Sequence, residues 1–245
     1  MKLSIIIPTY NEEKYIASII CQVQAVLLPS GIDKEIIVID DCSTDGTYQQ
    51  LAQFKGDPSV QIIRHPKNMG KTAGIVSGFK VSTGDFILIQ DADLEYNPQD
   101  YPALLAPILE GKSKVVYGSR WKGSIKDMKL INRVANLISI ATVNLLYGVY
   151  LTDVCGCYKI FPKEFFDKIT IFSTHFGFES EVTAKALSLG YQISEVPIRY
   201  IARTRKEGKK INWRTALLMY WTLFQCRFFD NQQKKSMCTN NNFSS

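Results

Sequence analysis

Histidine is scarce in this chain: His65 and His175 are the only two, and they lie far apart. No CxxC pair occurs among Cys21, Cys42, Cys155, Cys157, Cys226 and Cys238, so the usual nitrogen and sulfur ligands of zinc are missing. The cysteines also lack the close spacing of a disulfide-stapled secreted domain, and 245 residues bury a core without staples. Cys155-Gly156-Cys157 is the one close pair, and it reads as two small buried thiols beside a turn rather than a redox pair. Two nucleotide-binding patterns are absent as well. A P-loop at Gly70-Lys71-Thr72 needs a glycine where His65 stands. A GxGxxG fingerprint should follow the first strand, but Pro8-Thr9-Tyr10-Asn11-Glu12 stands there, which weighs against a dehydrogenase.

Long apolar runs are missing too. Leu3 to Ile7 is shorter than the ~7–15 residues of a signal-peptide core, and Asn11-Glu12-Glu13 follows at once, so no signal peptide is expected. Val134 to Thr152 carries no charge, but Asn136, Ser139, Thr142 and Asn144 interrupt it. Polar residues recur there at three-to-four spacing from Lys129, which predicts an amphipathic helix over 130–147. Thr215 to Phe229 is too short to span a bilayer easily. Each reads as a helix lying in a membrane interface, or simply as a core helix.

What is present is an ordinary globular composition with uneven charge. The net charge is +6, from 29 Lys+Arg and 23 Asp+Glu. Residues 1–111 carry −6, whereas 112–133 and 199–214 each carry +6. That distribution suits a chain that holds a cation in one place and an anion in another.

Along the chain, Leu3–Ile7, Glu35–Ile39, Val60–Arg64 and Phe86–Gln90 read as strands, most of them buried β-branched runs. Helices are expected from Asn11 to about Leu28 and over Lys71–Val81, where Gly70, Gly74 and Gly78 allow close approach on one face. Strand and helix alternate, which predicts an α/β fold with a mostly parallel sheet and ligands beyond the strand C-termini. After residue 112, strands are expected at Val115–Gly118, Tyr158–Phe161 and Ile193–Tyr200, the last an edge strand because it contains Pro197. A helix is expected over Phe178–Gly190. Asp230 to Ser245 is polar and expected to be disordered.

The sharpest motif is Asp91-Ala92-Asp93-Leu94-Glu95, three carboxylates closing a buried strand. Crowded there they repel one another, and a divalent cation bridging to phosphates removes that cost. Asp40-Asp41 closes another strand in the same way.

Taken together, IIIPTYNEE, IIVIDDCSTDGT, NMGKTAGI, QDADLEYNP and YGSR resemble glycosyltransferase family 2. TDVCGCYKIF, FGFESEV, EVPIRY and RKEGKKINW resemble its polyprenyl-phosphate sugar transferase branch, so the likeness covers roughly residues 3–225. It implies a GT-A fold: a Rossmann-like, mostly parallel sheet flanked by helices, with C-terminal amphipathic interface helices. One domain is expected over 1–229, its first half (1–111) for nucleotide-sugar and metal and its second (112–229) for acceptor and membrane. The implied roles are as follows. Pro8, Tyr10, Glu12, Asp40, Asp91 and Ala92 bind the nucleotide-sugar, while Asp91, Asp93 and Glu95 hold Mg²⁺ or Mn²⁺. Arg120, Arg133, Arg203 and Lys210 bind the acceptor phosphate or the donor diphosphate, and Asp93, Arg120 and Arg203 carry the catalysis. The implied partners are a GDP- or UDP-linked sugar, a polyprenyl phosphate, a membrane surface on its cytoplasmic face and a membrane-anchored protein, but no nucleic acid. Cys155-Gly156-Cys157 departs from the branch's usual turn. No QxxRW occurs, which argues against a processive synthase. Asp153 stands where hydroxyl-acceptor relatives place a base, so it reads either as a base or as a structural cap.

Overall fold

A computed structural model describes residues 1–173, 177–203 and 213–229, with the backbone alone for 213–219. Lys210 and the tail 230–245 therefore lie outside the described residues.

Seven strands form one sheet: β1 Lys2–Thr9, β2 Asp33–Asp40, β3 Val60–Arg64, β4 Phe86–Ile89, β5 Val115–Lys126, β6 Lys159–Pro162 and β7 Ile193–Ile201. Their order is β3-β2-β1-β4-β6-β5-β7. Among the described strands only β6 runs antiparallel, to β4 and to β5. The expected mostly parallel α/β sheet is therefore what forms. The two charge-distinct halves of the sequence meet at the β4–β6 pairing and share one main core. The β-branched runs of β1, β2 and β4 are buried, as strands covered on both faces require. β7 lies at the sheet edge, where Pro197 forfeits no ladder bond on its open side.

The helices are α1 Ile16–Ala25, α2 Thr47–Leu51, α3 Lys71–Val81, α4 Tyr101–Leu109, α5 Leu130–Tyr147, α6 Lys163–Asp167, α7 Phe178–Ser188 and α8 Trp213–Phe228. α3 and α5 begin and end where the sequence pattern places them. α3 lies close on β1: a Cβ at Gly78 would sit 2.5 Å from Ile6 Cγ2, and one at Gly74 3.3 Å from Pro8 Cβ. Other elements differ from expectation. α1 begins only at Ile16, because residues 11–15 form a turn that reaches the strand ends. α4, which carries Pro102 and Pro107, is not among the expected elements. Pro102 lies in its first turn, where an N–H has no helical partner in any case. β5 runs eight residues past its expected end, with a register shift between Ser119 and Ser124.

A second, smaller core joins α5, α7 and α8 through Ile140, Val143, Ala184, Leu223 and Cys226. The outer faces of two of these helices stay apolar and exposed: Leu130, Ile131, Val134, Leu137 and Ile138 on α5, and Trp221, Phe224 and Phe228 on α8.

At the edge of the sheet remote from the strand C-termini, Glu35 ties β2 to β1 and to the turn before β4. It accepts from Ser4 Oγ (2.5 Å), Thr83 N (2.7 Å) and Thr83 Oγ1 (2.7 Å), and pairs with Lys2 at 2.6 Å. Burial alone would raise its pKa, but these partners outweigh burial and hold it down to about 2. The stability it contributes is present above the ordinary carboxylate range and is lost as pH falls through the folded value. Glu35→Gln should therefore lower stability at pH 7 by about 1–2 kcal/mol. Thermal melts from pH 5 to pH 2 should show the difference from wild type shrinking towards acid.

Candidate active site

The C-terminal ends of β1, β2 and β4 lie side by side, as the in-register pairing of Thr9 with Asp40 and of Ile6 with Ile89 requires. Just past each end stands a residue with positive φ: Asn11 (55°), Cys42 (61°) and Leu94 (59°). A left-handed backbone at a residue other than glycine costs roughly 1–3 kcal/mol, and such strain concentrates at functional loops. These three turns re-aim the chain so that carboxylates from separate loops converge.

Gln90, fully buried, anchors the acidic turn. Its Oε1 accepts from Tyr101 Oη and Tyr158 Oη, both at 2.6 Å, and its Nε2 donates to the carbonyl of Asp91 at 2.8 Å. Asp91 then meets Lys71 Nζ at 2.8 Å, and Lys71 also reaches Glu179 Oε1 at 2.9 Å. Burial would lower the Lys71 pKa, but the charges of Asp91 and Glu179 override it and keep the ammonium protonated. Lys71 is placed by the preceding loop. Gly70 caps α3 with a φ of 89°, and Asp41 accepts from Met69 N (2.8 Å) and Gly70 N (2.7 Å). His65 bridges Asp41 (2.7 Å) and Ser77 (2.8 Å), which braces that loop.

Asp93 is shared between carboxylate repulsion and one arginine. Burial and the charges of Asp91 and Glu95 push its pKa up to about 7, against the pull of Arg203. Arg203 Nη2 donates to Asp93 Oδ2 at 2.8 Å, and Nη1 donates to Glu12 Oε2 at 2.8 Å. Glu95, expected as a further metal ligand, stands in the same turn and is buried. Its Oε2 accepts from Tyr200 Oη at 2.7 Å and its Oε1 from the backbone N–H of Arg203 at 2.6 Å.

Thus Asp91, Asp93, Glu95, Glu12 and Arg203 are brought together. Ala92 is buried in the same turn. Pro8 packs toward α3 at Gly74. Asp40 is buried at the end of β2, taking Ser43 N at 3.0 Å and lying 3.2 Å from Arg64 Nε, and Tyr10 is half-buried in the loop after β1. Arg133 is half-buried in the first turn of α5, and among the described residues no polar contact ties it to the acidic cluster.

Arg120 is buried and bound to Asp153 through Nε (2.7 Å), Nη2 (2.8 Å) and its own backbone N–H (3.0 Å). Burial would raise the Asp153 pKa, but Arg120 holds the carboxylate ionised and below its usual range. A carboxylate so committed is a poor proton acceptor, so the geometry favours the structural role over the base. Arg120 also lies over the Tyr200 ring, 5.0 Å from its centroid. Nearby, burial pushes the Cys155 thiol up to about 11 and raises that of Cys157 as well, so both stay protonated and unreactive.

Lys71 and Glu179 stand within NMGKTAGI and FGFESEV, but the sequence assigns no site role to them or to the His65–Asp41 brace. Glu179 reaches the site from another helix. Among the described residues no three carboxylate, histidine or cysteine groups gather into a metal cage. What exists is a pair of hard oxygen donors, Asp91 and Asp93, each balanced by a cation of the chain. Their crowding fits a divalent ion that completes its shell with oxygens of a bound ligand.

Residues 4–170 match glycosyl transferase family 2, more than half of the sequence. The chain belongs to this family. It is 28% identical over 215 residues to a dolichol-phosphate mannosyltransferase of Pyrococcus furiosus, covering 85% of this chain and 59% of that protein. It is also 28% identical over 221 residues to an undecaprenyl-phosphate 4-deoxy-4-formamido-L-arabinose transferase of Pseudomonas fluorescens, covering 89% of this chain and 63% of that protein. The chain thus spans about six-tenths of the length of these two relatives. Its fold matches the crystal structure of glucosyl-3-phosphoglycerate synthase from Mycobacterium tuberculosis in complex with Mn²⁺, UDP and phosphoglyceric acid. There the TM-score is 0.72 at 19% identity, over 93% of this chain and 78% of that one. The expected GT-A fold is therefore the one adopted.

Removing one partner of the Arg120–Asp153 pair leaves a buried charge unbalanced. Asp153→Ala should cost about 3–5 kcal/mol in denaturant unfolding, more than loss of a catalytic base alone would cause.

Proposed function

We propose that this chain transfers one sugar from a nucleotide-sugar to a polyprenyl phosphate, with inversion at the anomeric carbon and at a membrane surface. The observation that carries the reading is the Asp91–Asp93 turn, facing Arg203 beyond the C-terminal ends of parallel strands. It is supported by the names of the two curated relatives, which both pair a sugar with a polyprenyl phosphate.

Asp91 and Asp93 would hold Mg²⁺ or Mn²⁺, and such an ion, when bound, neutralises charge on the leaving nucleoside diphosphate. Pro8, Tyr10, Glu12, Asp40 and Ala92 line the donor side. The acceptor needs no general base, because a phosphate monoester with a second pKa near ~6 is already an anionic nucleophile. The chain's task is to orient that anion and offset its charge. Arg203, Arg120 and Arg133 are assigned to the acceptor phosphate, whose oxygens suit a guanidinium fork; Lys210, assigned with them, lies outside the described residues. Asp153 keeps Arg120 charged and correctly aimed. A hydroxyl acceptor would need a base, and Asp153 is engaged by Arg120, which disfavours that alternative.

The membrane part of the reading rests on α5 and α8. α5 has 18 residues and a mean hydropathy of 1.3, at the threshold of a membrane span by length and composition. One face is packed into the smaller core at Ile140 and Val143 while the other stays exposed and apolar. A helix that packs on protein through Ser139, Ile140 and Val143 and stays apolar to the outside suits the plane of a bilayer surface better than a crossing.

Incubation with GDP- and UDP-linked sugars, Mg²⁺ or Mn²⁺ and a short polyprenyl phosphate should give a lipid-linked sugar, detected by mass spectrometry. Asp93→Ala should lower turnover by at least about a hundredfold, the scale of losing electrostatic stabilisation of a leaving group. Undiminished turnover in that variant would refute the metal assignment. Flotation with phospholipid vesicles should carry the wild type upward, and Leu130→Ser/Ile131→Ser/Leu137→Ser should stay at the bottom of the gradient.

A further inference from the structure

Residues 112–133 hold seven cationic side chains and one acid, Asp127. The chain itself balances four of the seven. Lys112 lies 2.6 Å from Glu110, Lys114 3.2 Å from Glu164, Arg120 2.7 Å from Asp153 and Lys122 3.1 Å from Glu195. Among the described residues, Lys126, Lys129 and Arg133 lie on no carboxylate. These three gather where β5 gives way to α5. A left-handed turn at Asp127 (φ 59°) and the burial of Met128 make the corner, and Lys126 and Lys129 are left exposed on either side of it. Lys129 caps α5 at the end where the helix dipole favours anions, and the first turn holds no acid. A cation there opposes the dipole, so helix stability does not account for it.

Exposed apolar side chains begin directly after these cations. Leu130, Val134, Leu137 and Leu145 follow one face of α5. α8 runs beside it in the same direction: Tyr220 Oη donates to the Ala135 carbonyl at 3.4 Å, and Arg227 lies over the Tyr147 ring, 5.4 Å from the centroid. It adds Trp221, Phe224 and Phe228 to the exposed apolar surface. No Asp or Glu occurs over 128–152 or 213–229. An apolar surface bordered by unbalanced cations and free of acids complements a bilayer with anionic headgroups. A second copy would bring the same cations to its partner and balance none of them.

We infer that this face binds anionic phospholipid, with the apolar stripe of α5 and α8 at the acyl boundary and Lys126 and Lys129 on headgroup phosphates. The inference rests on the membrane part of the reading above and names the lipid class. Arg133, one turn beyond Lys129, then lies at headgroup depth, where a polyprenyl acceptor in the same leaflet would present its phosphate.

Flotation with vesicles of phosphatidylcholine alone, and with vesicles that contain about one-third phosphatidylglycerol, tests the lipid class. Each lysine near an anionic surface contributes about fivefold in partition, so Lys126→Gln/Lys129→Gln should lose about twenty-five-fold on the anionic vesicles and nothing on the neutral ones. Added salt should weaken only the anionic partition, because it screens exposed charge. Sugar transfer to a short polyprenyl phosphate without vesicles should be unchanged in the double variant, since neither lysine belongs to the site. Equal partition of the wild type onto both kinds of vesicle, or a double variant that floats like the wild type, overturns the inference and leaves the membrane reading standing. Failure to float with either kind overturns both. A dimer in lipid-free sedimentation that Leu130→Ser/Leu137→Ser dissolves, without flotation, assigns the face to a second copy instead. Flotation reads binding without turnover, so an absence of sugar transfer would sink the functional reading and leave the lipid result to stand or fall by itself.

Discussion

Like charges crowd at one edge of this sheet, and the rest of the site follows from how that crowding is tolerated. Asp91, Asp93, Glu95 and Glu12 come from two loops that parallel pairing forces to be neighbours. In a half-buried crevice their mutual repulsion is not screened by water as it would be on an open surface. The chain supplies Lys71 to Asp91 and Arg203 to Asp93 and Glu12. Those cations are brought by separate elements, the start of α3 and the exit of β7. The acidic turn is therefore the point at which the first and second halves of the sequence become mutually dependent.

The surrounding architecture reads as support for that point. Gln90 and its two tyrosines hold the turn from beneath. Asp41 and His65 hold the loop that delivers Lys71. Asp153 holds Arg120 in a charged, fixed orientation. Each device buries polar groups in satisfied pairs, which confers rigidity where an unpaired group would be costly. Membership of glycosyl transferase family 2 gives this arrangement its chemical context: placed charge stabilises charge that develops as a group is transferred. The exposed apolar faces of α5 and α8 lie on a separate, smaller core, so the proposed membrane surface is built apart from the acidic turn.

Much of this was legible in the sequence, for physical reasons. Short β-branched runs such as SIII and EIIVI, closed by turn residues, fit strands buried on both faces, and the 130–147 pattern matches the helical period, so those elements stand where expected. The acidic turn announces itself because three carboxylates crowded after an apolar run repel one another unless a cation balances them. α4 was not among the expected elements: Pro102 falls in its first turn and forfeits nothing there, whereas Pro107 sits inside the helix. The Tyr200–Glu95 bond was invisible because it spans 105 positions and no local pattern encodes it.

The amino-acid sequence by itself determined the fold class, the family and the identity of Asp91 and Asp93, since period, burial and short-range motif are local properties. Tertiary structure alone decided the partners: Lys71 for Asp91, Arg203 for Asp93 and Glu12, Asp153 for Arg120, Tyr200 for Glu95. Pairing depends on which strand ends share an edge and on where the left-handed turns at Asn11 and Leu94 aim the chain. The charge pattern of the sequence shows that two basic stretches accompany an acidic half. Only the folded sheet shows that a basic side chain at the exit of β7 lies on the acidic turn itself, because only there are 110 positions of separation reduced to 2.8 Å.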